Sequence, residues 1–278
     1  MFRRERIEYK TADQVAVMRR AGLVVAAAHD AVRASVAPGV TTAELDEVAA
    51  AVIADAGATP SFLGYHGFPA VLCVSVNDEV VHGIPGPRVL RAGDVVSVDC
   101  GAVVDGWHGD AAFTVVLDEA DPADVALSAA TERAMWAAIA ALATGERLDV
   151  VGEAVEQVVQ DAEAESGTPY GIVQEYVGHG IGSAMHQPPD VLNYRTRERG
   201  PRLRPGLCVA VEPMLTRGRR ATKVLDDEWT VVTVDGQRAA HWEHTVAIGP
   251  AGVWVTTVAD GGAAGLAPFG VVPVPWQV

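Results

Sequence analysis

Leu90-Arg-Ala-Gly-Asp-Val-Val-Ser-Val-Asp99 and Leu203-Arg-Pro-Gly-Leu-Cys-Val-Ala-Val-Glu212 are two versions of one pattern, 113 positions apart. Each opens on a Leu-Arg-x-Gly turn, continues as an apolar run of strand length and ends on a carboxylate. The same step of 113 relates Tyr65-His66-Gly67 to Gly178-His179-Gly180, and a step of 106 relates Ala37-Pro-Gly39 to Ala143-Thr-Gly145, each ahead of a helical pattern. Recurrence at a nearly fixed step is the mark of a duplicated supersecondary unit. Two copies facing each other would set Asp99 and Glu212 at equivalent strand positions across a pseudo-two-fold cleft.

Three more residues share that unusual context. Asp110 closes Asp105-Gly-Trp-His-Gly-Asp110, His179 stands among glycines, and Glu243 lies in Trp242-Glu243-His244-Thr245. A carboxylate at an apolar strand position needs a partner, because an unpaired buried charge is too costly to keep. For four carboxylates and one imidazole, the partner that fits is a pair of divalent cations. That donor set suits fairly hard ions such as manganese, iron or cobalt and argues against a four-ligand structural zinc site.

These motifs resemble those of the type I methionine aminopeptidases, within the wider creatinase or pita-bread family. The resemblance runs from about Thr11 to Ile248 and includes Gly64-Tyr-His-Gly-Phe-Pro69, Val81-His-Gly-Ile-Pro85, the segment from Asp105 to Asp110, and His179-Gly-Ile-Gly-Ser-Ala-Met-His186. It implies a dinuclear metal site in which Asp99 binds one ion, His179 and Glu212 the other, and Asp110 and Glu243 bridge both. It further implies that Glu212 shuttles the proton, that His186 stabilises the developing oxyanion and that His82 contacts substrate near the scissile peptide. The positions matching the family's first pocket hold Phe62, Tyr65, Phe68, Cys73, Met185 and Trp229. Aromatic faces around an apolar slot suit a flexible thioether side chain. At Phe62 the family commonly has a smaller residue. The implied activity is removal of the initiator methionine from nascent chains whose second residue is small, with cobalt, manganese or iron as the ions and zinc also admissible. A proline-specific peptidase of the same fold, or a non-catalytic binding protein on this scaffold, are the alternatives. Type II relatives carry a long helical insertion between the last two glutamates, and the 31-position step from Glu212 to Glu243 has no room for it.

The rest of the chain supplies the frame. Thr11-x-x-Gln14 and Thr41-x-x-Glu44 are capping boxes, opening helices that end near Pro38-Gly39 and Gly57. Asp121-Pro122 and Asp149 open a second pair, ending at Gly145 and near Gly167. Val15, Met18, Gly22, Val25, His29 and Val32 form the apolar stripe of the first helix, which makes His29 a core histidine. Strand-like runs cover 71–76, 95–99, 111–117, 207–212, 230–234 and 244–248. Helix pairs alternating with antiparallel strands imply an α+β fold, a curved sheet covered on one face by two helix pairs. We expect one catalytic domain over 1–258 and an irregular tail over 259–278, rich in Gly, Ala, Pro and Val.

Composition excludes several classes. With 49% hydrophobic residues the chain can bury a large core, and no uninterrupted apolar run is long enough to span a membrane. The charged start, Met-Phe-Arg-Arg-Glu-Arg, has no apolar signal core, and three scattered cysteines (Cys73, Cys100, Cys208) form no CxxC pair, so a reducing cytoplasmic location is expected. A net charge of −15 speaks against general nucleic-acid or specific DNA binding. Against that background Arg217, Arg219, Arg220 and Lys223 cluster between the two glutamates. They read either as solvated loop charge or as a contact to ribosomal RNA near the emerging chain.

Overall fold

Thr11 and Thr41 open the first two helices by reciprocal caps. The computed structural model describes residues 6–276. Ahead of α1 (Ala12–Ser35) the Thr11 hydroxyl accepts from the Gln14 amide at 3.3 Å while the Gln14 side chain accepts from the Thr11 amide at 2.9 Å. Thr41 and Glu44 repeat the exchange at α2 (Thr42–Asp55), at 3.2 and 2.7 Å. Each pair satisfies two amides that a helix start leaves without partners. α3 (Pro122–Thr144) begins on a proline that has no amide to lose, with Asp121 accepting from the Ala123 amide at 2.9 Å. α4 (Val150–Ser166) stops at Gly167, whose φ of 70° lies in the left-handed region that terminates helices.

The main sheet has nine strands and is antiparallel at every pairing. Its centre is a seam between Trp107–Val116 and Glu243–Ile248. Outward from the seam on one side come Val95–Val104 and then Leu72–Val76. Outward on the other side come Cys208–Val211 and then Gly178–Gly180. The duplicated sequence pattern is therefore a duplicated arrangement, the pseudo-two-fold pita-bread fold, and the equivalent carboxylate strands flank the seam symmetrically. Along Val95–Val104 the side chains alternate. Val96, Val98 and Cys100 join the core packed by all four long helices, and Ser97 and Asp99 point to the opposite face. At the seam α1 comes so close that a Cβ on Gly109 would stand 2.6 Å from the Gly22 amide nitrogen, which explains a glycine directly before Asp110.

Two expectations change. The run at 230–234 does form a strand, Val231–Thr233, but in a separate three-stranded sheet with Glu79–Val81 and Thr222–Val224. The segment 259–278 is not wholly irregular. Asp260 accepts from the Gly262 and Ala264 amides at 2.8 Å each and starts a single helical turn, α5 (Ala263–Leu266), whose Leu266 is fully buried in the main core. The Val274 amide then bonds the Val253 carbonyl at 2.9 Å, so the chain lies back along the sheet edge; residues 277 and 278 lie outside the described part. Small and apolar residues that resemble a linker in composition are here the ones that fit under a packed edge. Finally, α3 is long and apolar enough to cross a membrane by length and composition, yet Leu127, Ala134, Met135, Ala138 and Ile139 are all buried against the rest of the protein. It is a core helix.

Candidate metal centre and substrate pocket

Register alone assembles the carboxylates. Asp99 pairs with Ala112 across the hairpin, and Ala112 pairs with Glu243 across the seam. Directly paired residues project from the same face, so Asp99, Ala112 and Glu243 form one row with only a methyl group in the middle. Asp110 stands two residues before Ala112 on that face. Glu212 follows Val211, which pairs with His244, and so arrives level with Glu243 from the other side. His179 enters from Gly178–Gly180 and sets its Nε2 3.3 Å from Glu212 Oε1.

Among the described residues, no Lys or Arg forms an ion pair with this cluster. Asp110, Glu212 and Glu243 are buried, and one oxygen of each of the four carboxylates is fully shielded with no hydrogen-bond partner. A native interior rarely leaves such atoms orphaned. Burial raises all four acids; neighbouring carboxylates push Asp110, Glu212 and Glu243 further, whereas hydrogen bonding with Asp110 and the Cys100 backbone offsets part of the rise at Asp99. Asp99 reaches about 7, and Asp110, Glu212 and Glu243 are held well above the ordinary carboxylate range. Burial acts oppositely on the imidazoles, lowering His179 to about 3 and His82 to about 4, so both are neutral donors of a lone pair at physiological pH. Four acids that cannot all ionise unaided, beside a neutral imidazole, fit two divalent cations, whose charge would balance theirs. Asp110, His179 and Glu243 bring ligand atoms within 4.8 Å of one another, as do Glu212, His241 and Glu243.

The same cavity, about 170 Å³, has a second wall of a different kind. Phe62, Phe68, Cys73 and Met185 are buried in one apolar cluster, with Tyr65 and Trp229 packed on its edge. Phe68 and Trp229 meet edge to face with ring centroids 5.0 Å apart. All six residues expected in the pocket therefore line one space, together with His82 and His186. His82 adopts φ of 60°, an uncommon backbone region for a non-glycine residue, and sits edge-on to Tyr176. His186, at the open rim, takes a hydrogen bond of 2.9 Å between its Nδ1 and the Tyr65 hydroxyl. Its ring lies tilted by 60° against that of His179, with centroids 4.2 Å apart. A larger groove of about 940 Å³ near Arg6, Arg147 and Arg204 gathers no such convergent acids and imidazoles.

His241 was not foreseen. It lines the cavity, two residues before Glu243, and an i, i+2 pairing in a strand-like segment was the one available signal. The more conspicuous His244 faces away, bonding Thr257 at 3.0 Å. The basic cluster also needs correction at one member. Arg217 places Nη1 2.8 Å from Asp121 and 3.0 Å from Asp124, so its charge is spent on the N-terminal turn of α3. Arg220 remains half exposed, 3.9 Å from Glu175.

Comparison with known proteins agrees with this geometry. Residues 16–250 match the model of metallopeptidase family M24. The chain is 52% identical over 253 residues to methionine aminopeptidase 1 of Mycobacterium tuberculosis, covering 91% of this chain and 95% of that protein. It is 43% identical over 248 residues to methionine aminopeptidase 1 of Bacillus subtilis, covering 89% and 98%. Among solved structures, methionine aminopeptidase from Thermotoga maritima superimposes with a TM-score of 0.86 at 38% identity, covering 91% of this chain and 99% of that one.

Proposed function

The chain belongs to metallopeptidase family M24, and on that footing we propose that it is a type I methionine aminopeptidase, removing the initiator methionine from nascent chains whose second residue is small. The observation that carries this reading is one cavity with two walls, orphaned carboxylates on one side and an apolar aromatic slot on the other. Asp99 would hold one divalent ion, His179 and Glu212 the other, and Asp110 and Glu243 would hold both. Two such ions supply an acidified water at neutral pH and polarise the scissile carbonyl. An oxygen-rich donor set with one imidazole favours manganese, iron or cobalt, with zinc admissible.

The residues of the chain divide the remaining work. The slot formed by Phe62, Tyr65, Phe68, Cys73, Met185 and Trp229 takes the methionine side chain, whose sulfur gains from the ring edges. Glu212 receives the proton of the attacking water and delivers it to the departing amine. His186 is neutral at physiological pH, because packing around the ring and then nearby His66 lower it. With the Tyr65 hydroxyl donating to Nδ1, its proton sits on Nε2, free to bond the developing oxyanion. His82 contacts the substrate backbone beyond the scissile bond. The size rule admits Gly, Ala, Ser, Cys, Thr, Pro or Val after the methionine and excludes a bulky side chain. The enzyme works in the cytoplasm, and its three buried free thiols suit that reducing setting. Arg219, Arg220 and Lys223 face outward as a contact to ribosomal RNA.

The test is a series of Met-Xaa-Ser tripeptides given to the manganese- or cobalt-loaded protein. Release of methionine from Met-Ala-Ser but not from Met-Phe-Ser is expected. Indifference to the second residue would overturn the size rule, and cleavage confined to Xaa-Pro substrates would establish the proline-specific alternative.

A further inference from the structure

His241 faces the acids yet has no role in the account above. It ends the strand Ala239–His241, is 2% exposed, and its Nε2 has no hydrogen-bond partner. That nitrogen stands 3.9 Å from Glu212 Oε2 and 3.9 Å from Glu243 Oε2. Both separations are too long for hydrogen bonds. They do match donor atoms that share an ion: with ligand bonds of about 2.0–2.2 Å, two donors on one cation stand roughly 3 to 4 Å apart. The position is held rigidly. The His241 amide donates to Thr114 Oγ1 at 3.1 Å, and the Thr114 hydroxyl donates to the His241 carbonyl at 2.8 Å. Glu212 is thus flanked on both oxygens, by His179 Nε2 at Oε1 and by His241 Nε2 at Oε2.

We propose that His241 is a sixth protein ligand, adding a second imidazole to the divalent cation held by Glu212 and Glu243. This rests on the metallopeptidase reading of the site. Its consequence is selectivity: a second nitrogen donor favours cobalt, nickel or zinc relative to manganese, beyond what a one-histidine, four-carboxylate centre would give.

The cobalt-loaded protein reports ligands directly, since a coordinated imidazole shows its remaining ring N–H as an exchangeable, hyperfine-shifted proton resonance. Two such resonances are expected in the natural protein and one in His241→Gln. Cobalt affinity measured by calorimetry should fall about tenfold or more in the variant, with manganese affinity falling distinctly less. A single resonance in the natural protein overturns the proposal while leaving the five-residue site intact, and needs no variant to fold. An unchanged resonance count in His241→Gln, with cobalt and manganese affinities lowered in equal proportion, also overturns it, because that is the pattern of a residue that only positions the glutamates. Failure of the natural protein to bind cobalt at all would remove the metal site itself and the proposal with it.

Discussion

Glu212 concentrates the chemistry of the site in one side chain: it lies 3.3 Å from His179, is buried, and has an oxygen with no partner. Glu212→Gln keeps its volume, so the thermal midpoint of the metal-free protein should hold or rise, since a raised acid is removed. Hydrolysis of Met-peptides should fall by at least about a hundredfold, the usual scale for losing a proton-transfer group; near-normal turnover would refute its role. The pKa shifts also set a sign for metal binding. Asp99, near 7, and the other three acids must lose protons to bind a cation, whereas His179, near 3, is already neutral. In the metal-free protein, acids raised above their unfolded values contribute stability that is present at low pH and lost as pH rises through the folded pKa. Metal removes that loss. The rise in thermal midpoint on adding manganese should therefore grow from pH 5 to pH 8, by roughly 5 °C or more at saturating ion; a pH-independent rise would contradict it. At this scale most of the site was legible, because acids and glycine-flanked histidines are rare in apolar strand contexts. His241 was not, since its meaning depends on Glu212, which the fold brings beside it from another strand.

Caps and turns were equally legible at the scale of elements. Thr11, Thr41 and Asp121 each satisfy local amides, and local chemistry needs only local sequence. The last segment failed to show itself for the opposite reason. α5 is one turn long, and its stability comes from Leu266 in the main core rather than from any periodic pattern. Leu266→Ala should therefore cost about 2–5 kcal/mol, read by denaturant unfolding with an unchanged slope. A change of a few tenths of a kcal/mol would mean that this segment does not contribute to the core.

The whole molecule is two half-sheets joined at a seam, with the acids gathered where the halves meet. The repeat could be read from sequence. The seam could not, since strands Trp107–Val116 and Glu243–Ile248 are neighbours in space while two helices separate them along the chain. At this scale net charge matters as well: at −15, any contact with RNA must be local. Changing Arg219, Arg220 and Lys223 to Ala should weaken co-sedimentation with ribosomes and flatten its dependence on salt, leaving tripeptide hydrolysis unaltered. Unchanged co-sedimentation at low salt would leave the cluster as solvated charge. The central claim, that orphaned acids and an apolar slot form one metal-dependent active site, meets its most direct test in a titration. Protein stripped by chelator is returned to cobalt or manganese in steps while methionine release from Met-Ala-Ser is followed. Stripped protein should release no methionine, and release should recover in proportion to bound metal. Full activity in the stripped protein, or an intact peptide at full metal occupancy, would contradict it.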